Sequence, residues 1–342
     1  MDLSTSTLAR PNALFERHLR EAVAGPAQVR RYYQMMAYHL GWLDEELAER
    51  DGGGGKRLRP SLCLMACESV GAPPEHALPG ALAVELVHNA SLIHDDIEDG
   101  DERRRHRPAV WALWGTAHGV NVGDGMLSLA HLAMLEASTS RGTTVAAMCG
   151  AALGRSCVEL FEGQFLDQEY QARASVSLPE YLAMADRKTG ALFGCAAELG
   201  GLLGGADAGV VRRLAQFGRT LGRAFQMQDD LLGVWGEESR TGKPADDVRK
   251  RKRGLPAALA WDCASPAAFT ELRELYGAAG ADERASERVL ELFAELDVQR
   301  RGRRMIAEEV DAAIEQLPSA GLPDAATLPL LHFAALLSTR SA

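Results

Sequence analysis

The chain has 342 residues, and its 37 Lys and Arg stand against 47 Asp and Glu for a net charge of −10, which argues against a general nucleic-acid binder. An apolar content of 46% excludes a disordered chain and is ample for a buried core. No apolar run approaches the roughly 18 residues of a membrane span, no signal-peptide core follows Met1, and six cysteines are too few for a disulfide scaffold, so a cytoplasmic protein with reduced thiols and no integral membrane segment is expected.

Ala, Leu, Glu, Arg and Met dominate, and all are good helix formers; Val and Ile nowhere alternate as a strand would require. The segment 1–25 is expected to be loose. Helices are predicted over Val29–Arg50, Pro60–Val70, Leu78–Asp99, Gly119–Ser138, Val145–Gln171, Leu178–Leu203 and Ala208–Trp235, with shorter ones between Ala267 and Arg340. The Gly and Pro breaks between them are too short to be interdomain linkers. The pattern predicts one large all-α domain over 26–342, with helices too apolar to be solvated on more than one face. Cys63 and Cys67, spaced i, i+4, have no second pair nearby and read as buried thiols rather than a zinc site.

Four constellations carry chemistry. The apolar Leu78–Asp99 helix ends in His94-Asp95-Asp96-Ile97-Glu98-Asp99. Asp95 and Asp99 are one turn apart and share a face. Acid at a helix C-terminus opposes the macrodipole, so a cation between the carboxylates is favoured over a solvated helix end; hard oxygen donors suit Mg2+. The run Arg103-Arg104-Arg105-His106-Arg107 follows directly. Carboxylates beside guanidinium forks match a metal-bound diphosphate. The loop Gly52–Pro60, Gly-Gly-Gly-Gly-Lys-Arg-Leu-Arg-Pro, is not a Walker A loop, because Arg50 and Arg57 occupy its required Gly and Ser/Thr positions. It reads as a second anion site or a surface loop.

The fourth constellation repeats the plan of the first. Phe225-Gln226-Met227-Gln228-Asp229-Asp230 ends another apolar helix, and Lys243 and the basic run Arg249–Arg253 follow. Two such arrangements predict two acidic clusters serving one diphosphate with metals between them. Lys188-Thr189 interrupts an apolar segment and can reach phosphate or lie on a surface turn. His88, seven residues before Asp95, is either a site residue or a core histidine.

At these residues the chain resembles the trans-isoprenyl diphosphate synthases of the polyprenyl synthetase family, from about Tyr32 to Pro256. Asp95-Asp96-Ile97-Glu98-Asp99 matches the first aspartate-rich motif, DDxxD; Arg104 and Arg105 match the Arg pair after it; Gly54–Pro60 matches the GGKRLRP loop. The resemblance implies an all-α bundle of the isoprenoid synthase type around a central apolar cavity, a homodimer, and Mg2+ as cofactor. It implies that Lys56, Arg59, His88 and Arg105 bind isopentenyl diphosphate, and that Arg104, Lys188, Thr189, Gln226 and Lys243 hold the allylic diphosphate. It further implies that Asp95, Asp99 and Asp229 ligate Mg2+, with Asp95, Asp99, Lys188 and Asp229 serving catalysis. The implied reaction is head-to-tail condensation to a longer all-trans prenyl diphosphate. Ala90 and Ser91, about a turn before Asp95, are too small to stop chain growth, and Val87 and Val84 beyond them are modest; the expected product is therefore geranylgeranyl diphosphate, with Met126 a possible floor from another helix.

The chain departs from the pattern in three places. The second motif reads Asp229-Asp230-Leu231-Leu232-Gly233, without its last carboxylate, for which Glu237 is a candidate substitute. His106 stands where the family usually has Gly. The later G-K-x-T element reads Arg251-Lys252-Arg253-Gly254. A class I terpene cyclase on the same scaffold and a non-catalytic partner subunit are the alternatives. The second cationic set, Lys56, Arg59 and Arg105, favours two diphosphates and hence condensation.

Overall fold

The computed structural model describes residues 3–50, 55–236, 246–277 and 283–338. The helices are α1 Leu3–Ala22, α2 Arg30–His39, α3 Leu58–Ser69, α4 Leu78–Glu98, α5 Val110–Trp114, α6 Thr116–Arg141, α7 Thr143–Gln171, α8 Leu178–Ala185, α9 Ala191–Gly204, α10 Ala208–Trp235, α11 Leu255–Cys263, α12 Pro266–Gly277, α13 Glu283–Glu295, α14 Val298–Ile314 and α15 Asp324–Ser338. The all-α expectation holds. The chain divides into two compact units: residues 1–155, 195–215 and 317–333 form one, and 156–194, 216–316 and 334–342 the other.

In the first unit, α4 packs along α6 more extensively than along any other element, and α3 lies against both α4 and α1. Val84, Leu86, Val87 and Ala90 of α4 are fully buried, as are Val122 and Met126 of α6. Each buried Val or Leu contributes roughly 1.5 to 3 kcal/mol relative to exposure. In the second unit, α11 packs on α8 and α14, and α13 on α12 and α14. Its core includes Tyr181, Phe193, Phe217 and Phe293.

Most of the segment before residue 26, from Leu3 to Ala22, is helical. It forms α1, because Phe15, Leu19 and Val23 recur every four residues and build a buried stripe. The helix is tied in further by Ser61 Oγ donating to Asn12 Oδ1 at 3.0 Å and Trp42 Nε1 donating to Glu16 Oε1 at 2.7 Å. The helix predicted over Val29–Arg50 stops at His39, where the Trp42 amide turns back to the Ala37 carbonyl. One described helix, α7, is long and apolar enough to cross a membrane by length and composition, although 39% of that stretch is buried here. The sequence reading had found no apolar run that approaches the roughly 18 residues of a span.

All six cysteines are free, and five of them are buried. Burial pushes the Cys63 thiol well above its ordinary value and raises Cys67 to about 12. These are packing residues, as the spacing implied.

Candidate functional site

Each unit carries one set of the predicted residues. In the first, α4 brings its acidic end to the segment after it. Asp96 is buried at 2% exposure, Asp95 is part-buried and Asp99 exposed. Arg104 donates from Nε to Asp96 Oδ1 at 2.7 Å and from Nη2 to Asp95 Oδ2 at 3.4 Å. Asp96 thus anchors Arg104, leaving Asp95 and Asp99 as the carboxylates on the open face.

The basic run folds as a minimal hairpin, Arg103–Arg104 pairing antiparallel with Arg107–Pro108. Its turn residues Arg105 and His106 have φ of 51° and 63°. Two successive positive φ values are the geometry of a type I′ turn, which glycine favours and histidine tolerates better than most residues. This accounts for the family's usual Gly at His106. The hairpin divides the arginines by task. Arg107 stacks 3.9 Å from the Tyr38 ring centroid and donates to the Leu43 carbonyl at 2.6 Å; Arg103 donates to the His106 carbonyl at 2.6 Å. Both hold the turn, while Arg104 meets the acids and Arg105 is carried at the tip.

The Gly-rich loop is divided in the same way. Arg57, 3% exposed, is consumed by ion pairs with Glu85 at 2.6 Å and Glu16 at 3.2 Å. Lys56 is exposed and Arg59 is 8% exposed at the start of α3. A Cβ on Gly55 would lie 3.1 Å from Arg105 Nη2, so the loop and the hairpin tip meet. His88 lies in the field of these cations: burial, then Arg59, Arg105 and Arg104, hold its imidazole well below the usual histidine range. His39 is held down likewise by burial, Arg105, Arg104 and Arg57. Sequence reasoning missed His39, since it is a lone polar residue at a helix end. The first unit therefore gathers Arg59, Arg104, Arg105 and two neutral imidazoles near the acidic end of α4.

In the second unit, the predicted Leu178–Leu203 helix is interrupted by a π-helical turn at Asp186–Gly190. Such turns often mark functional sites. Asp186 fixes it, accepting from Arg219 Nη2 at 2.6 Å and Arg223 Nη1 at 2.9 Å, while Arg223 also reaches Glu309 at 2.8 Å. A Cβ on Gly163 of α7 would sit 2.2 Å from the Lys188 backbone nitrogen, so only glycine lets the turn come this close.

The turn aims Lys188 at Asp167, Nζ to Oδ2 2.5 Å, and Thr189 at Gln226, Oγ1 to Oε1 2.5 Å. Gln226 Nε2 donates to Asp230 Oδ1 at 2.8 Å, and the Leu255 amide donates to Asp230 Oδ2 at 2.8 Å. Burial pushes the Asp230 carboxyl up to about 6 against these donors. Asp230 is thereby engaged at the N-terminus of α11, and its neighbour Asp229 is the exposed member of the pair. Thr189, Gln226 and Asp230 form one hydrogen-bonded chain, and Lys188 lines the same cavity as Gln226 and Asp230. Asp167 was missed, although a carboxylate in the apolar stretch Phe165–Leu166 was the available signal. Lys243 and Glu237 lie outside the described residues.

No group of three or more His, Cys, Asp or Glu side chains among the described residues forms a ready-made metal cage. The donors fit Mg2+, which is held by one or two carboxylates together with substrate phosphate: Asp95 and Asp99 share a face one turn apart in the first unit, and Asp229 is exposed beside Gln226 in the second.

The polyprenyl synthetase family model matches residues 41–293. The (2E,6E)-farnesyl diphosphate synthase of Mycobacterium tuberculosis is 40% identical, over 100% of this chain and 91% of that protein. The geranylgeranyl diphosphate synthase of the same organism is 39% identical, over 84% of this chain and 81% of that protein. The crystal structure of a polyprenyl synthetase from Streptomyces coelicolor A3(2) aligns with a TM-score of 0.89 at 37% identity, covering 97% of this chain and 99% of that one. With the family model matched over most of the chain and relatives matched over four-fifths or more of their length, the chain belongs to the polyprenyl synthetase family and is a prenyltransferase.

Proposed function

We propose that the protein condenses isopentenyl diphosphate head-to-tail with an allylic diphosphate, in the presence of Mg2+, to give a longer all-trans prenyl diphosphate. The observation that supports this reading is the gathering of Arg59, Arg105 and His88 in the first unit, in addition to the Lys188-Thr189 turn of the second. Lys56, Arg59, His88 and Arg105 hold the diphosphate of isopentenyl diphosphate. Arg104, Lys188, Thr189, Gln226 and Lys243 hold that of the allylic substrate, and Asp95, Asp99 and Asp229 are the Mg2+ ligands. A cyclase acting on one diphosphate has no use for the first set.

Bound Mg2+ supplies charge neutralisation for a departing diphosphate. The allylic C–O bond ionises, and Arg104 and Lys188 stabilise the negative charge that develops on the leaving oxygens. The isopentenyl double bond attacks the allylic cation, a C–C bond forms, and a proton passes to the released diphosphate. The neutral state of His88 suits a hydrogen-bonding role beside Arg59 and Arg105 rather than a further charge. Apolar walls protect the cation from water.

The product is geranylgeranyl diphosphate in this reading. Ala90 is fully buried and small, and Val87 and Val84 beyond it are modest in size, which supports a longer product. An assay with isopentenyl diphosphate and dimethylallyl, geranyl or farnesyl diphosphate, with Mg2+ or EDTA, tests the whole reading by sizing the dephosphorylated alcohols. A Mg2+-dependent linear C20 alcohol is expected. No elongation from any primer would remove the condensation reading, and a C15 end point would remove the length assignment. The Ala90→Phe enzyme is expected to stop earlier than wild type; an unchanged product would show that this level does not set length.

A homodimer belongs to the same reading. α6 exposes Leu132 and Leu135, and α7 exposes Met148, Val158, Phe161 and Phe165. Val158, Phe161 and Phe165 fall on one helical face, and large apolar faces of this kind mark interfaces. Sedimentation is expected to show a dimer that Phe161→Asp/Phe165→Asp weakens; a wild-type monomer would overturn it. Free thiols at all six cysteines accord with a cytoplasmic location.

A further inference from the structure

Lys188 and Thr189 sit on the π turn Asp186–Gly190, and that turn is gripped from two sides. Gly163 of α7 abuts the Lys188 backbone on one of them. Gly222 of α10 abuts it on the other: a Cβ there would lie 2.8 Å from Gly190 Cα and 3.0 Å from the Thr189 carbonyl oxygen. A Cβ on Gly190 would in turn lie 3.1 Å from the Arg219 carbonyl oxygen. Backbones this close leave no slack between them, so whatever ties the turn to α10 also decides where Lys188 and Thr189 point.

The tie is a stripe of side chains. Arg219, Arg223, Gln226 and Asp230 recur along α10 at three- and four-residue spacing and share one face. Gln226 engages Thr189 late in the turn. The two arginines engage Asp186 at its start. Arg219 donates to Asp186 Oδ2 from Nε at 2.9 Å and from Nη2 at 2.6 Å, and also pairs with Glu159 of α7 at 2.6 Å. Arg223 donates to Asp186 Oδ1 from Nη1 at 2.9 Å. It meets Glu309 of α14 with Nε at 3.1 Å and Nη2 at 2.8 Å. Burial opposes the Asp186 charge, and the two arginines outweigh it, holding the carboxyl below its ordinary range. Three carboxylates thus face two guanidinium groups, which leaves neither arginine to serve as a phosphate ligand.

We propose that Arg223 is a positioning residue for the allylic diphosphate and that α14 takes part in that site through it. Glu309 orients the Arg223 guanidinium, Arg223 fixes Asp186, and Asp186 sets the turn that presents Lys188 and Thr189. The inference rests on the condensation reading above. The planar fork of arginine serves two carboxylates at once in a fixed geometry, which a lysine ammonium does not. Arg59, Arg105 and His88 belong to the other unit, so the two substrates should respond differently to a change at 223.

The test is steady-state elongation with geranyl diphosphate and isopentenyl diphosphate varied in turn, with thermal melts of each protein. Arg223→Leu is expected to lower kcat/KM for geranyl diphosphate by about ten- to a hundredfold, the scale on which a misplaced binding group acts, through a raised KM, while KM for isopentenyl diphosphate stays at the wild-type value. Glu309→Gln is expected to shift the same KM in the same direction by less, and Arg223→Lys to fall between wild type and Arg223→Leu. Asp186→Asn/Arg223→Leu is expected to lose little beyond the worse single variant, because the two groups act in one chain. A merely structural Arg223 would lower the melting temperature and the active fraction, and hence kcat, with both KM values unmoved; that result overturns the inference. Should Arg223→Leu fail to fold, Arg223→Lys and Glu309→Gln decide alone, and an unmoved KM for geranyl diphosphate in both overturns it. A wild-type protein that does not elongate geranyl diphosphate or any other primer overturns the condensation reading itself; one that elongates while the allylic KM ignores position 223 overturns only this inference.

Discussion

An Asp95→Asn enzyme is expected to lose about 10² to 10³ in kcat for elongation, the scale on which removal of one preorganised electrostatic group acts. The substitution should leave the fold intact. Arg104 loses its longer contact, 3.4 Å to Asp95, and keeps the shorter one, 2.7 Å to the buried Asp96. Asp96 is the buried anchor and Asp95 the more exposed carboxylate, so the effect belongs to kcat and to the Mg2+ concentration giving half-maximal rate. The check is steady-state kinetics over a Mg2+ series, with circular dichroism of both proteins. A variant with wild-type kcat would remove Asp95 from the set of metal ligands.

Replacement of Glu85 by Ala is expected to destabilise the protein by about 3 to 5 kcal/mol, because it strands a buried charge. Arg57 is 3% exposed, its backbone is left-handed at φ 49°, and its shortest ion pair is the 2.6 Å contact with Glu85. Burial opposes the Arg57 charge, and Glu85 with Glu16 outweigh it, so the guanidinium is held above its ordinary value. Glu85 Oε1 also accepts from Asn89 Nδ2 at 2.9 Å, a bond the substitution removes while the one to the Glu85 carbonyl at 2.8 Å stays. Urea denaturation measures the loss. An Arg57→Met/Glu85→Met double variant should recover much of it, since apolar replacement of a whole buried pair is often neutral. A loss in Glu85→Ala below about 1 kcal/mol, the scale of an exposed pair, would mean that Glu16 alone suffices.

Helix type was legible from composition because tertiary packing here reinforces local preference: α10 spans Ala208–Trp235 as its periodicity implied. The acidic motifs were legible because their spacing puts carboxylates on shared faces. The three cations of the Gly-rich loop were separable only by their partners, since nothing in Lys56-Arg57-Leu58-Arg59 says that Arg57 is the one buried against Glu85. The same holds in Arg103–Arg107, where two arginines hold a turn and their neighbours do not. α1 was passed over because Phe15, Leu19 and Val23 sit among charged residues; their four-residue spacing was the signal. The π turn was invisible because its cause is remote in sequence: Asp186 pairs with Arg219 and Arg223, 33 and 37 positions away.

The π turn also bears on how this chain tolerates changes of length. It holds one residue more per turn than the helices on either side. Deleting a residue among Asp186–Gly190 would let the segment close into regular α-helix at little cost in backbone hydrogen bonds. The bulge itself takes up the additional residue, so closing it would leave the helices on either side close to their present register and remove the wide turn that presents Lys188 and Thr189. Lys188 and Thr189 could not then both keep Asp167 and Gln226 as partners. Such a variant would look fully helical and be dead, so across natural versions of this chain gaps and insertions should be purged from these five positions more strictly than substitutions are.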